Sequence, residues 1–251
     1  MDFIICKFGG TSVATSDKMQ QIVKIMGLNA QRRCIVLSAP GKAPGHSVKV
    51  TDMLIDATKR ALKGEDFSSV VSDIKTRFLS IFEPLKVPVK KINEVLSDLD
   101  NRLASSKEHP GKFRDLIVAA GEDLNCRLFA EYLNTIGIKA LYVSPKDGGL
   151  IVTPVFGDAQ PLPESTMRLA SLKKVCAEQV VVFPGFFGIT AEGDVATFSR
   201  GGSDLTGAIL AEALDVAEYE NWTDVDGIFS AHPLIDDKPA LIPALTYREM
   251  R

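Results

Sequence analysis

The sequence predicts an α/β fold with a mostly parallel central sheet. Short apolar segments rich in strand-forming residues alternate along the chain with longer segments of helical periodicity. Two of these segments contain the continuous apolar runs 34–37 and 180–183, which are typical of strands covered on both faces of a parallel sheet. The length of 251 residues suits one large domain or two small ones, with enough chain for a sizeable core.

Strand character recurs from the beginning of the chain to its last third. The predicted strands cover residues 3–8, 34–39, 138–143, 150–155, 180–183 and 216–222. Residues 186–198 predict a hairpin that turns at Glu192 and Gly193, because apolar segments flank a glycine-containing turn. Residues 40–45 contain two prolines and two glycines and are predicted to form a loop.

Helical periodicity occupies most of the remaining chain. The predicted helices cover residues 18–30, 51–62, 66–82, 89–103, 113–135, 164–176 and 204–214. Ser16 and Asp17 provide an N-cap signal for the first of these helices. Residues 50–104, approximately, are helical and highly charged without a glycine cluster, so we predict a helical insertion within a single α/β domain spanning residues 1–251.

Composition argues against several functional classes. The net charge of −3 gives no reason to expect a nucleic acid or an anionic membrane as a partner. No apolar run approaches the ~20 residues that a membrane-spanning helix needs. The four cysteines and three histidines are scattered without the spacing of metal ligands. We therefore predict buried free thiols in a reducing cytoplasm, and no protein-bound metal site.

A lysine followed by two glycines ends the first predicted strand, in the segment Lys7-Phe8-Gly9-Gly10-Thr11-Ser12. This order sets an ammonium group beside backbone N–H groups that suit a polyphosphate. The segment lacks the longer glycine loop of a Walker A motif. A simple strand, turn and helix with a solvated lysine is the alternative that the segment leaves open by itself.

A second anion-binding candidate lies where the hairpin gives way to a helix, at Ser199-Arg200-Gly201-Gly202-Ser203-Asp204. Glycine allows an anion to approach the free N–H groups at a helix start, and arginine grips a carboxylate through two parallel hydrogen bonds. A capped helix with Arg200 paired on the surface is the alternative. We predict that this stretch holds an anionic small molecule.

Two further segments have the composition of site residues. Trp222-Thr223-Asp224-Val225-Asp226-Gly227-Ile228-Phe229 follows a predicted strand and would lie at the sheet edge where α/β folds bind ligands. Gly121 and Glu122 interrupt a helical pattern, and a mid-helix glycine costs about 1 kcal/mol relative to alanine. A close neighbour at Gly121 would explain the glycine, although ordinary helix packing is the commoner cause.

The motifs KFGGTS, GED, PGFFG, FSRGGSD and WTDVDGIF occur in this order over essentially the whole chain. This ordered set resembles the amino acid kinase superfamily and, within it, the aspartate kinases. The resemblance implies a three-layer α/β/α sandwich. It also implies transfer of the γ-phosphoryl group of ATP, with Mg²⁺, to the β-carboxylate of L-aspartate. That reaction yields 4-phospho-L-aspartate and ADP and opens lysine, threonine and methionine biosynthesis; a cytoplasmic homodimer is expected.

The resemblance also implies roles for individual residues. Lys7 would stabilise charge on the transferring phosphoryl group, and Asp204 would orient Lys7. The phosphates would be lined by Gly9, Gly10 and Ser12. The positions that would surround aspartate are Ser38, Thr51, Glu122, Gly185, Phe186, Arg200, Ser203 and Asp204. Within that set, Arg200 would hold a carboxylate and Glu122 the amino group. The nucleotide contacts would be Thr223, Asp224 and Phe229.

Some positions depart from the family pattern. Asn125 stands where a serine usually follows Gly-Glu, and Phe229 replaces a tyrosine near the nucleotide. His232 and Leu234 stand where the family commonly reads Asp-Pro-Arg, which removes a cation expected near ATP. The chain also ends before a further nucleotide-contacting lysine and the ACT regulatory domains, so we expect a fragment of a longer enzyme.

Two other interpretations remain open at this point. A kinase of the same superfamily could act on glutamate, N-acetylglutamate, carbamate or a nucleoside monophosphate, although FSRGGSD and the long helical insertion favour aspartate. The changes at His232 and Leu234 are also compatible with a ligand-binding protein that keeps the fold without turnover.

Overall fold

The computed structural model describes residues 3–199, 201–225, 227, 230 and 240–244. Its centre is a five-stranded parallel sheet with the strand order β3-β4-β2-β1-β7. The strands of this sheet are β1 (Ile4–Phe8), β2 (Arg32–Leu37), β3 (Ala140–Tyr142), β4 (Val180–Pro184) and β7 (Glu218–Trp222). An antiparallel hairpin joins β5 (Phe187–Ile189) to β6 (Val195–Thr197). The predicted parallel sheet and the predicted hairpin are therefore confirmed.

Helices cover both faces of the sheet. The longer ones are α1 (Ser16–Leu28), α2 (Val50–Lys63), α3 (Ser68–Phe82), α4 (Val89–Leu103), α5 (Pro110–Val118), α6 (Ala120–Thr135) and α10 (Gly202–Ala213). The shorter ones are α7 (Pro145–Gly148), α8 (Glu164–Leu169) and α9 (Leu172–Glu178). A single 3-10 turn, Gly10–Val13, follows β1. The predicted helices within residues 50–104 are confirmed as α2, α3 and α4.

Side chains of β1 alternate between two hydrophobic cores, one on each face of the sheet. Ile4, Cys6 and Phe8 belong to the larger core, which is filled by α1 to α6. Ile5 belongs to the smaller core, which includes residues of α8, α9 and α10. Because successive strand residues point to opposite faces, Lys7 faces the side of α10. This arrangement is the expected three-layer α/β/α sandwich.

Two predicted helices are each divided in the structure. The segment 113–135 forms α5 and α6, which meet at Ala119. The segment 164–176 forms α8 and α9, which meet at Ala170 and Ser171. Both prediction errors have one cause: the helices on either side of each junction bury apolar residues in the same core, so the helical periodicity continues across the break.

The predicted strand at 150–155 is wrong. Leu150 and Val152 are buried as a strand pattern requires, but the backbone there makes only isolated bridges. The N–H of Val152 donates to Ile189, and the N–H of Thr153 donates to Gln160. Because the hydrogen bonds are divided between two different segments, no continuous ladder forms.

All four cysteines are buried and free, as predicted. Within the residues that the structure describes, no helix has the length and apolar character needed to cross a membrane.

Candidate active site

A cleft opens at the carboxyl edge of the sheet, between the loops that follow β1, β2, β4 and β7. It consists of two adjoining cavities of about 820 Å³ and about 340 Å³. The residues that line both cavities are Gly9, Gly10, Ser38, Lys49, Thr51 and Glu122. Parallel α/β sheets bind their ligands at this edge, because the loops after neighbouring strands converge there.

The two cavities differ in the remaining residues that line them. The larger cavity is also lined by Lys7, Asp52, Ile55, Arg114, Gly157, Phe186, Phe198, Ser199, Gly201, Gly202, Ser203 and Asp204. The smaller cavity is also lined by Thr11, Ala39, Pro40, Gly41, Thr223 and Asp224. Residues of the first two segments that the sequence predicts to bind anions therefore line the same larger cavity.

A buried lysine forms an ion pair at the base of the larger cavity. Lys7 Nζ lies 2.6 Å from Asp204 Oδ1, and the lysine side chain is only 9% exposed. Asn221 Nδ2 donates to the same carboxylate oxygen over 3.0 Å. Lys7 and Asn221 are register partners in β1 and β7, so their side chains project side by side toward the start of α10. The ammonium group of Lys7 in β1 is thus held by Asp204 of α10, and Asp204 is held in turn by Asn221 of β7.

The two glycines after β1 allow backbone segments to approach closely. The N–H of Gly9 donates to the carbonyl of Trp222 over 3.2 Å, and the N–H of Gly41 donates to Gly10 over 2.8 Å. A Cβ atom on Gly41 would lie 2.7 Å from the carbonyl carbon of Gly10. The loops after β1, β2 and β7 are therefore held against one another by their backbones, with little space for side chains.

Glu122 is a buried carboxyl group in the first turn of α6. Glu122 is 5% exposed, and its Oε2 atom has no hydrogen-bond partner among the described residues. Burial raises the pKa of Glu122 to about 8, against weaker opposing effects of the backbone N–H groups of Ala39 and Glu122. The group is therefore largely protonated at pH 7 in the ligand-free protein, and a cationic ligand group would favour its ionised form.

The start of α10 packs tightly against the segment after β4. A Cβ atom on Gly185 would lie 2.6 Å from the Ser203 side chain. Phe186 adopts a φ of 79°, a left-handed conformation that is uncommon for a bulky residue. Its N–H donates to the Thr206 hydroxyl over 3.1 Å. The hydrogen bond to Thr206 of α10 thus stabilises the strained backbone of Phe186, which lines the larger cavity.

A hydrogen-bonded cluster supports the end of β7. Arg32 donates from Nε and Nη2 to the carboxylate of Glu220, with distances of 2.9 to 3.0 Å. Trp222 Nε1 donates to Glu220 Oε2 over 2.6 Å, and the Trp222 ring stacks on Phe8. Burial acts to raise the pKa of Glu220, but the hydrogen bonds from Arg32, Trp222 and Cys6 together lower it below its usual value. They also position Trp222, whose backbone leads into Thr223. The loop that lines the smaller cavity therefore begins at a fixed residue.

Most of the predicted site residues that the structure describes line this cleft. Ser12 does not: it lines a separate small cavity near α1, together with Thr223. Gly185 lies behind Ser203 and lines neither of the two cavities. Arg200 and Phe229, as well as His232 and Leu234, lie outside the described residues. The roles implied for all of these residues stay predictions.

Asn125, one of the departures from the family pattern, has a structural partner. It is fully buried, and its Nδ2 donates to the carbonyl of Ser38 over 2.8 Å. The bond joins α6 to a residue that lines both cavities. The amide therefore takes part in positioning the loop after β2.

Two cationic residues of the cleft were missed by the sequence analysis. Lys49 directly precedes α2 and lines both cavities, and Arg114 lies in α5 and lines the larger one. Lys49 could have been found as a cation beside a predicted helix start. Arg114 carries no local signal, because its place in the cleft depends on how α5 packs against the hairpin.

Among the residues that the structure describes, the cleft has no preformed set of metal ligands. Within the described ranges there is no group of three or more His, Cys, Asp or Glu residues that could hold a metal ion. A parallel α/β sheet with a buried lysine, close-packed glycine loops and helix N–H groups at one edge defines a protein equipped to bind anionic small molecules.

Comparison with known proteins agrees with this description. The model of the amino acid kinase family matches residues 2–251, and the chain belongs to that family. Aspartokinase 3 of Bacillus subtilis is 40% identical over 247 residues, covering 98% of this chain and 54% of the relative. Lysine-sensitive aspartokinase 3 of Escherichia coli is 30% identical over 255 residues, covering 99% of this chain and 55% of the relative.

Solved structures show the same relationship. Aspartokinase III of E. coli in complex with aspartate and ADP superimposes with a TM-score of 0.82 at 29% identity, covering 96% of this chain and 53% of that one. Aspartate kinase of Clostridium acetobutylicum gives a TM-score of 0.79 at 31% identity, covering 99% of this chain and 53% of that one. The chain spans about half the length of these relatives.

Proposed function

We propose that this chain carries the catalytic site of an aspartate kinase, which transfers the γ-phosphoryl group of ATP to the β-carboxylate of L-aspartate. The products are 4-phospho-L-aspartate and ADP. The observation that supports this best is the Lys7–Asp204 ion pair, set between the glycine loop after β1 and the start of α10. The similarity to proteins named aspartokinase, one of them solved with aspartate and ADP, supports the same substrates.

The proposed reaction needs no general base. The β-carboxylate of aspartate is already ionised at pH 7 and attacks the γ-phosphorus while the bond to the β-phosphate oxygen of ADP breaks. Catalysis then depends on alignment and on positive charge beside the transferring group. Lys7 supplies that charge, Asp204 holds its ammonium group in place, and Asn221 in turn donates to Asp204.

The nucleotide is proposed to occupy the smaller cavity. The close-packed backbone at Gly9 and Gly10 suits its phosphates, and Thr223 and Asp224 face its remaining part. Mg²⁺ would arrive on the ATP phosphates and neutralise their charge. That binding mode fits a cleft without a group of protein ligands among the described residues.

Aspartate is proposed to occupy the larger cavity. The ammonium group of aspartate would bind Glu122, whose Oε2 lacks a partner among the described residues. Ser38, Thr51 and Ser203 offer hydroxyl groups at the same cavity, and Phe186 forms part of its wall. Arg200 remains the proposed carboxylate ligand from sequence resemblance, and Gly185 would act indirectly by admitting Ser203.

Trapping of the acyl phosphate with hydroxylamine tests the proposed function. With ATP, Mg²⁺ and L-aspartate, the protein should form aspartyl hydroxamate. Lys7→Ala should lower kcat about 100-fold or more, because it removes a preorganised charge from the transition state. Lys24→Ala is the matched control, since Lys24 is an exposed lysine on α1.

The outcome of a substrate panel separates the alternatives. Another activity of the family would be assigned if the protein reacted with a different acceptor and not with aspartate. Glutamate would then give a hydroxamate, and N-acetylglutamate, carbamate or a nucleoside monophosphate would give ADP. Binding of aspartate and an ATP analogue without any product would indicate a ligand-binding protein. An unchanged kcat in Lys7→Ala would contradict the role of Lys7.

The wider setting also stays at the level of a prediction. A role in lysine, threonine and methionine biosynthesis, a cytoplasmic location and a homodimer are proposed from the resemblance to aspartate kinases. Sedimentation of the purified protein, in which a monomer would contradict the homodimer, tests the last of these.

A further inference from the structure

Arg114 reaches the larger cavity from α5, and the start of α10 lines the same cavity. Its side chain is 43% exposed, so the guanidinium group remains accessible from the cleft. Arg114 and Gly157 line the larger cavity and are absent from the wall of the smaller one, which carries Thr223 and Asp224. The guanidinium group therefore lines the cavity proposed for aspartate and not the one proposed for the nucleotide.

The position of Arg114 is fixed by the neighbouring buried carboxylate. Asp115 is fully buried, and its Oδ2 accepts hydrogen bonds from the N–H groups of Gly157 and Thr197 over 2.8 Å and 2.7 Å. Its Oδ1 accepts a bond of 2.8 Å from Arg114 Nη1. Because both oxygens are engaged, the carboxylate is locked and holds the guanidinium group in one orientation.

Gly157 preserves the space around this guanidinium group. It has a φ of 87°, which favours glycine, and a Cβ atom there would lie 3.1 Å from Arg114 Nη1. The bond to Asp115 uses one guanidinium N–H group and leaves others for a ligand. The site thus combines an anchored arginine with open space on its cavity side.

The charges of the larger cavity leave this arginine available for an anion. Lys7 is paired with Asp204 and is proposed to face the transferring phosphoryl group, and Lys49 lines both cavities, whereas Arg114 lines the larger cavity alone. The carboxylate that receives the phosphoryl group must face Lys7 and the nucleotide. An anchored arginine elsewhere in the same cavity suits the other carboxylate, which takes no part in the reaction.

We propose that Arg114 is a specificity-determining residue that binds the α-carboxylate of the acceptor amino acid, and that Asp115 is its positioning residue. This inference rests on the proposed aspartate kinase function, which supplies a dicarboxylate acceptor. It adds a ligand contact from α5 to the contacts at the start of α10.

Substitution of Arg114 by glutamine tests the inference, with Arg60→Gln as the matched control. Arg60 also pairs with a nearby aspartate and has a 41% exposed side chain, but it does not line either cavity. Arg114→Gln should raise KM for L-aspartate about tenfold or more, because a charge-assisted contact is lost, while KM for ATP stays unchanged. Arg60→Gln should match the wild type in both constants.

An acceptor that lacks the charge of the α-carboxylate tests whether Arg114 contacts that group. L-aspartic acid α-amide keeps the reacting β-carboxylate, and the wild type should use it much less well than L-aspartate. That preference should largely disappear in Arg114→Gln and be partly kept in Arg114→Lys. An undiminished preference, or an effect confined to KM for ATP, would overturn the proposal. A wild-type protein that forms no aspartyl phosphate would instead refute the proposed function itself.

Discussion

At the scale of single residues, the site depends on charges whose state is set by burial. Lys7 is buried but directly paired with Asp204, so its charge has a partner. Glu122 is buried without such a partner among the described residues, and its pKa is raised to about 8. A buried carboxyl group without a charged partner lowers the stability of the ligand-free protein. We expect a bound ammonium group to compensate for this loss by pairing with the carboxylate.

The raised pKa of Glu122 predicts a pH-dependent stability. The usual pKa is 4.5, so between this value and about 8 the folded protein binds more protons than the unfolded chain. The free energy of unfolding attributable to Glu122 should therefore fall as the pH rises through this window. In urea unfolding between pH 5 and pH 8, the wild type should lose stability relative to Glu122→Gln.

The control for this experiment is Glu131→Gln, on the same helix but partly exposed. Glu131→Gln keeps the buried Glu122 and should therefore keep the loss of stability with rising pH that Glu122→Gln removes. A stability difference between the wild type and Glu122→Gln that is constant with pH would show that Glu122 does not titrate as inferred.

At the scale of elements, α6 begins in direct contact with the loop after β2. Gly121 is the second residue of that helix, and a Cβ atom on it would lie 2.8 Å from the Cβ atom of Ala39. The neighbours of Gly121 are side chains, so ordinary packing, which the sequence analysis gave as the commoner cause, explains this glycine. This contact positions the first turn of α6, which carries Glu122, against the loop after β2. One turn later, Asn125 donates a hydrogen bond to Ser38 of the same loop.

Alanine at position 121 should consequently destabilise the protein. Gly121→Ala forces a shift of Ala39 and of the nearby Leu54, with an expected loss of about 1–3 kcal/mol in the free energy of unfolding. Gly27→Ala is the control, since Gly27 lies in α1 with no atom within 4 Å of its added Cβ. That change should stabilise the protein by about 0.5–1 kcal/mol in chemical unfolding. Equal effects of the two substitutions would rule out the packing argument.

At the scale of the whole molecule, the helices of residues 50–104 connect to the cleft through a buried arginine. Arg77 of α3 is 3% exposed, and its Nη2 donates to the carbonyl groups of Ala14 and Gly41. Burial lowers the pKa of this arginine. Ala14 follows the 3-10 turn after β1, and Gly41 lies in the loop after β2. One side chain thus ties the predicted insertion to both loops that hold the proposed phosphate site.

Removal of this connection should weaken both folding and nucleotide binding. Arg77→Ala leaves two carbonyl groups without their donor, and we expect a loss of about 2–3 kcal/mol in the free energy of unfolding together with a higher KM for ATP. Lys75→Ala removes the Lys75–Asp100 ion pair from the exposed side of the same helix and should cost less than about 1 kcal/mol. Urea unfolding measures the stability of the two variants, and steady-state kinetics measure their KM for ATP. If Lys75→Ala lost as much stability as Arg77→Ala, the result would argue against the buried connection.

The sequence by itself determined the α/β class, the parallel sheet and most helices, and it marked the two glycine-containing segments that line the cleft. These features are local: a strand, a helix or a glycine turn is encoded by residues within a short window. The ordered motifs then related the chain to a family, and most of the expected site residues within the described part line one cleft.

Only the tertiary structure decided which distant residues meet. Asp115 bonds to Thr197, and Arg77 bonds to Ala14, across separations that no local pattern encodes. The same reason explains the divided helix at Ala119, the missing strand at 150–155 and the unforeseen place of Arg114 in the cleft. Periodicity records which face of a segment is buried, whereas the partner that covers the face is set by the packing of the whole chain.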